Sequence, residues 1–139
     1  METQRSSLGN RLFATLIDYL VIGCFFIIYV YKFGEPNNEG GYTVHGLKAL
    51  VPIGFWFVYL IVIEGIFSAT VGHFFMGLKV VKTDNSGIDF VDSIKRHLID
   101  IIDFMPFGIP AMISIKNSTL NQRLGDMWAK TIVINDKEK

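Results

Sequence analysis

The chain has 139 residues, 50% of them apolar, and its 13 basic residues balance 13 acidic ones. That length fits one domain, and zero net charge without a basic stripe interleaved with aromatics excludes nucleic acid as a partner. The lone cysteine, Cys24, excludes an intrachain disulfide; His45, His73 and His97 stand at no zinc-ligand spacing, so no metal site and no cofactor are expected.

The apolar residues concentrate in three blocks, 12–31, 49–69 and 98–115, with most of the charge between and after them. Residues 1–10 are polar and offer Ser6, Ser7 or Asn10 as a helix cap. RLFATLIDYLVIGCFFIIYVY follows, enough for a helix of about 30 Å, the thickness of a bilayer core. A first transmembrane span is therefore expected over about 11–32. It is too long for a signal-peptide core and runs into YKFGEP without a small-residue cleavage pattern, so it reads as a retained span. Within it stands Asp18. Leaving an ionised aspartate in lipid costs about 2.5–3.5 kcal/mol, so Asp18 is expected to face protein or a wet cavity and to pair with Arg11 or Arg123. Taken alone, Arg11 reads as an interfacial anchor, and Cys24 as a small packing residue.

Residues 32–48, KFGEPNNEGGYTVHGLK, read as a loop. A second span is expected over about 49–69, with Pro52 early in it, Glu64 near its far end, and Gly54 and Gly65 able to admit close helix approach. GLKVVKTDNSGID then runs from β-branched residues into a turn signal and predicts a short strand over 77–83. Over 89–104, Val91, Ile94, Leu98, Ile101 and Ile102 share one side, and Asp89, Asp92, Ser93, Arg96, Asp100 and Asp103 the other. This predicts an amphipathic interfacial helix, with Asp92–Arg96 and Arg96–Asp100 as pairs on a solvated face. Pro106 and Pro110 break the third block, and residues 104–115 would reach only about 18 Å as a helix, so a membrane-dipping segment is expected there. The tail, 116–139, offers a short helix and a second β segment at 130–135, whose pairing with 77–83 would close a small two-stranded sheet.

Two crossings put eleven of the thirteen Lys and Arg residues on one side, leaving Lys32 and Lys48 on the other. The positive-inside rule then makes both termini cytoplasmic. In that topology Arg11 opens the first span, Glu64 closes the second, Asp18 lies about 10 Å deeper, and Arg123 and Asp126 reach the same layer from the tail. The expected fold is thus mainly α and integral to a membrane: two spans, an interfacial helix, a Pro-broken dipping segment and a small cytoplasmic β element, in a single domain over residues 1–139.

These residues resemble the RDD family of small bacterial membrane proteins, named for one arginine and two aspartates. NRLFATLIDYL is similar to its first-helix signature, which assigns Arg11 and Asp18 to the arginine and first aspartate. EGIFSATVGHFFMGLKVV is similar to its segment after the second helix, matching Glu64, Thr70, Gly72 and Gly77 to Val81. QRLGDMWAKTIVI is similar to the closing motif, with Gly125, Asp126 as second aspartate, Ala129 and Thr131. One departure is His73, where the family commonly has lysine. The resemblance implies a multi-pass protein of the bacterial plasma (inner) membrane, and it allows the cation/proton antiport proposed for some members.

Two functions follow as expectations. In the first, Arg11, Asp18, Glu64, Arg123 and Asp126 form a clamp, and the chain is a structural or interaction module of a membrane assembly. In the alternative, Asp18 binds a proton or monovalent cation in an antiporter-like transporter. Two spans are too few to enclose a transport path, so that reading requires a homo-oligomer or another membrane protein as partner in the lipid bilayer. An enzyme is not expected, since Ser68, Ser114 and Cys24 have no histidine in a recognisable arrangement.

Overall fold

The computed structural model describes residues 5–100 and 109–136. Helix α1 is Leu8–Phe33; the Ser7 hydroxyl oxygen caps it by accepting from the Asn10 N–H at 3.2 Å. Residues 32–48 contain more order than a loop: α1 extends into them, and β1 (Glu35–Pro36) pairs antiparallel with β2 (Tyr42–Thr43). Helix α2, Gly46–Phe67, starts three residues earlier than the sequence suggests and ends two earlier. It opens with a 3-10 turn, Gly46–Ala49, and is π-helical over Phe57–Val62. It stops where Ser68 takes a left-handed conformation, φ 58°, with its N–H donating to the Glu64 carbonyl.

Both helices are long and apolar enough to cross a bilayer, and only 17% of α1 and 22% of α2 in their most apolar stretches is buried within the protein. Ile27, Ile28, Ile53 and Ile66 are each more than 60% exposed. A core helix of a soluble protein would bury these side chains; here a lipid solvent is what their chemistry requires. Phe25 of α1 stacks on Phe55 of α2, ring centroids 3.8 Å apart.

A short helix follows, α3 (Val71–Phe75), capped by the Thr70 hydroxyl, and then strand β3 (Leu78–Lys82). Helix α4 is Phe90–Leu98, opened by a reciprocal capping box between Asp89 and Asp92. The part of the predicted interfacial helix beyond residue 100, with Asp103, and the start of the dipping segment, with Pro106, lie outside the described residues. Helix α5 is Ile109–Asn117, with Pro110 in its first turn, where a missing N–H costs little. Helix α6 (Leu124–Ala129) leads through Lys130, left-handed at φ 54°, into β4 (Thr131–Asn135).

β3 and β4 pair antiparallel, Leu78 opposite Asn135 and Lys82 opposite Thr131. Leu78, Val80 and Val133 join Ala14 and Ile88 in a small apolar core. Arg5 and Ser6 extend this sheet: Arg5 bridges Ile134, and the Ser6 N–H donates to the Val133 carbonyl at 3.1 Å. The segment before α1, the segment after α2 and the tail are therefore tied to one another directly.

The orientation of α4 is the reverse of the expected one. Asp92, Ser93, Arg96, His97 and Asp100 are buried, whereas Phe90, Val91 and Leu98 are more than 40% exposed. The periodicity of the sequence is right, but the polar face packs onto protein and the apolar face is left outside, as suits a helix lying at a membrane surface with that face towards lipid.

Two glycines set how closely these pieces approach. A Cβ on Gly72 would stand 2.0 Å from the Ala14 carbonyl oxygen, and one on Gly125 2.3 Å from that of Arg96. Gly65 packs on Phe90, its Cβ position 3.2 Å away, whereas Gly54 has nothing within 4 Å and so mediates no helix approach. Gly72→Ala and Gly125→Ala are each expected to cost about 1–3 kcal/mol or more through overpacking against rigid backbone. Gly54→Ala is expected to be neutral or stabilising by about 0.5–1 kcal/mol. Thermal unfolding in mild detergent measures all three.

Candidate functional site: a buried network of charges

Helix α2 delivers Glu64, fully buried, to the inner face of α4, where Arg96 is also fully buried. Arg96 Nε donates to Glu64 Oε1 at 2.8 Å and Nη2 reaches Oε2 at 3.4 Å, a forked pairing suited to a planar guanidinium. The remaining nitrogen, Nη1, donates to Asp126 of α6 and to the Thr131 hydroxyl of β4, the latter at 3.0 Å. Arg96 thus joins α2, α6 and β4 through one side chain. Ser93, one turn earlier, donates to the Ile61 carbonyl at 3.0 Å, an acceptor within the π-helical stretch.

Asp126 is the second hub. Its carboxylate receives Arg11 of α1 as well as Arg96, and its Oδ2 accepts the Arg123 backbone N–H at 3.0 Å, which also caps α6. Arg11 donates in addition to the Asn121 carbonyl. At 4% exposure Arg11 is an internal partner rather than an interfacial anchor. Arg123 Nη1 lies 3.3 Å from Asp100 Oδ1, and Asp100 Oδ2 lies 2.7 Å from His97 Nδ1. His97 Nε2 is 3.3 Å from Glu64 Oε1, which closes the circuit. The anticipated Asp92–Arg96 and Arg96–Asp100 pairs do not form: Asp92 goes to Lys82 at 3.1 Å, and Asp100 to His97 and Arg123.

Asp18 sits apart from the arginines, correcting the expected pair with Arg11 or Arg123. It is 3% exposed, and its oxygens accept from the Tyr59 hydroxyl (3.2 Å), the Thr70 hydroxyl (2.6 Å) and the Gly72 N–H (2.7 Å). Three donors satisfy a carboxylate without any counter-charge. Because Thr70 caps α3 and Gly72 lies in its first turn, Asp18 fastens α3 to α1. His73 Nδ1 is 2.8 Å from Thr70 Oγ1, so the hydroxyl that donates to Asp18 accepts from the imidazole.

Of the residues singled out from sequence, Arg11, Glu64, Arg123 and Asp126 share one network, and Asp18 joins Thr70, Gly72 and His73 in a neighbouring one. Gly125 presses on the Arg96 backbone, and Thr131 accepts from Arg96. Arg96, His97, Asp100 and Tyr59 were missed as members. Their signal is present: Ser93, Arg96, His97 and Asp100 follow one helical face, readable as a protein-facing stripe once lipid is taken as the solvent.

The electrostatics follow from the packing. Burial opposes charge on Asp126, but Arg96, Arg11 and Arg123 override it and hold the carboxyl well below its usual range. Burial likewise opposes charge on Arg96, and Asp126 with Glu64 raise its pKa instead. His97 would be lowered by burial, yet Glu64 and Asp100 push it up to about 9. His73, buried with Arg96 and other cations near, is pushed down to about 3 against the pull of Glu64, so it carries no permanent charge.

Two measurements test this network. Between its unfolded pKa, about 6.5, and about 9, the folded chain binds the His97 proton and the unfolded chain does not. That stabilisation is complete below pH 6.5 and fades as pH rises towards 9. His73 acts in the opposite direction: the unfolded chain takes up its proton below about 6.5 and the folded chain does not until about 3. Thermal stability in detergent should therefore peak near pH 6.5, and His97→Gln should flatten the alkaline side alone. Arg96→Met takes from Glu64 its arginine and from Asp126 one of three, leaving them His97 and Arg11 with Arg123; it should cost about 3–5 kcal/mol, while adding Glu64→Met to it should recover part of the loss.

No curated protein and no solved structure matches the chain. The model of the RDD family does match, over residues 5–130, a stretch that holds Arg11, Asp18 and Asp126 and stops one residue short of Thr131. The chain, a mainly helical membrane-type protein with a buried cluster of charges, belongs to the RDD family.

Proposed function

We propose that this protein is a structural or interaction module of a bacterial plasma-membrane assembly, in which the buried charges act as a clamp. The observation that carries this reading is Asp18: both of its oxygens are occupied by protein donors, as befits a fastener. Glu64 and Asp126 are likewise engaged by arginines from other segments. The partner is a second copy or another membrane protein, alongside the lipid bilayer.

The topology in this reading has two crossings, with both termini and residues 70–97 in the cytoplasm. In its support, Arg5 bridges Ile134 of β4, Ser6 hydrogen-bonds with Val133, and β4 pairs with β3, so the segments flanking the two spans lie together on one face. That arrangement favours an even number of crossings, and the bias of Lys and Arg selects the cytoplasmic side. In intact cells Asn135→Cys should resist a membrane-impermeant thiol reagent; efficient labelling from outside would rule out this orientation.

A second reading, an oligomeric cation/proton transporter, draws on the run of hydrogen bonds from Asp18 through Thr70 to His73. Asp18→Asn separates the two. The amide has one accepting oxygen where the carboxylate has two, so a bond to Thr70 or Gly72 is lost or reversed, at a cost of about 1.5–3 kcal/mol. The clamp reading expects a lower unfolding temperature in detergent and weaker retention of whatever copurifies. Cation-dependent proton flux in wild-type proteoliposomes, abolished in a fully stable Asp18→Asn variant, would overturn the clamp in favour of transport.

A further inference from the structure

Where α2 ends, the chain forms a groove that borders the Asp18 network at Thr70 and lies apart from the arginines. It has a volume of about 500 Å³, within the range of ligand sites, and runs between the end of α2, helix α3 and strand β3. Ile63, Phe67, Val71 and Phe74 supply its apolar wall, and Lys79 and Asp136 bring opposite charges to it. Phe67 and Phe74 are about 70% exposed and continue the apolar surface of α2 at Ile66, itself 67% exposed. The wall thus merges with the surface that lipid covers, at the level where a span of this length gives way to polar chain. Neither Lys79 nor Asp136 is in an ion pair with another described residue, so the charges they present remain available to a ligand.

We propose that this groove holds one phospholipid with an amine-bearing headgroup, its acyl chain along Phe67, Val71 and Phe74, its phosphate on Lys79 and its ammonium on Asp136. The pairing of one cation and one anion beside an apolar channel matches a zwitterion attached to hydrocarbon, whereas an anionic headgroup would meet Asp136 as a like charge. The bilayer supplies such a molecule at the mouth of the groove at high local concentration. The site needs only that α2 ends at a membrane surface, and it stands whether the buried charges clamp or transport.

Native mass spectrometry of the full chain, purified in mild detergent and offered equal amounts of phosphatidylethanolamine and phosphatidylglycerol, tests the proposal. One lipid should survive detergent exchange, with ethanolamine favoured at least tenfold. Val71→Trp, which fills the channel, and Lys79→Ala, a change of a half-buried side chain, should each remove it. Asp136→Asn should keep a bound lipid and lose the headgroup preference. Circular dichroism establishes that each variant is folded, and Lys79→Ala carries the test alone if Val71→Trp fails to fold. Equal retention in wild type and folded Lys79→Ala would mean only loosely held surrounding lipid and would overturn the site, as would a peptide or second copy found in its place. A preference for phosphatidylglycerol would overturn the assigned headgroup.

Discussion

A guanidinium removed from water must find acceptors for its donors, and Arg96 makes four hydrogen bonds to three separate parts of the chain. Glu64 comes from the end of α2, Asp126 from α6 and the Thr131 hydroxyl from β4. Each acceptor is fully buried, so no water replaces one that moves away, and an unpaired charge in such a place costs about 3–5 kcal/mol. The backbone is shaped to this need. Gly125 lets α6 lie directly on the Arg96 carbonyl, a distance no other residue allows, and Ser93 ties the same face of α4 to Ile61. The arginine therefore decides how α2, α4, α6 and the sheet are arranged about one another.

Around this network the usual relation of surface and interior is inverted. Phe90, Val91 and Leu98 of α4 stand outside while Asp92, Arg96, His97 and Asp100 stand inside, and the same holds along α1, whose buried residues are Arg11, Ala14, Asp18 and Tyr29. Between helices in lipid, apolar contact brings little net gain, because the tails are as apolar as leucine. Directional contacts carry the specificity instead. Among the described residues, a small hydrophobic core of the ordinary kind forms at the sheet, with Leu78, Val80 and Val133.

The parts of this fold written in length and period were legible in the chain. The spans follow from the unbroken apolar runs, and the strands from β-branched residues at 78–82 and 131–135. Arg11, Glu64, Arg123 and Asp126 could be placed in one layer from topology and helical rise alone. What could not be read was partnership. Asp18 invited a search for an opposite charge, yet two hydroxyls and an N–H suffice, and hydroxyls and amides occur too often to be singled out. Arg96 had the right face and the wrong medium: its neighbours Asp92 and Asp100 offered easy local pairs, and long-range partners 30 or more residues away displaced them. Sheet register was likewise invisible, because alternation leaves slippage open until Arg5, Ser6 and the turn residues define it.

The π-helical stretch Phe57–Val62 determines the angular phase of α2. Each residue of an α-helix turns the direction of side chains by about 100°, and a π turn accommodates one residue more than an α turn, so its presence resets every direction beyond it. Phe55, before the stretch, points at Phe25 of α1; Glu64, after it, points at Arg96 of α4. A uniform α-helix through the same residues would keep one of these alignments and swing the other away. The looser turn lets a single rod address two neighbours lying at different angles around it, so the length of chain between Phe55 and Glu64 is itself a structural constant, as much as the identity of either residue.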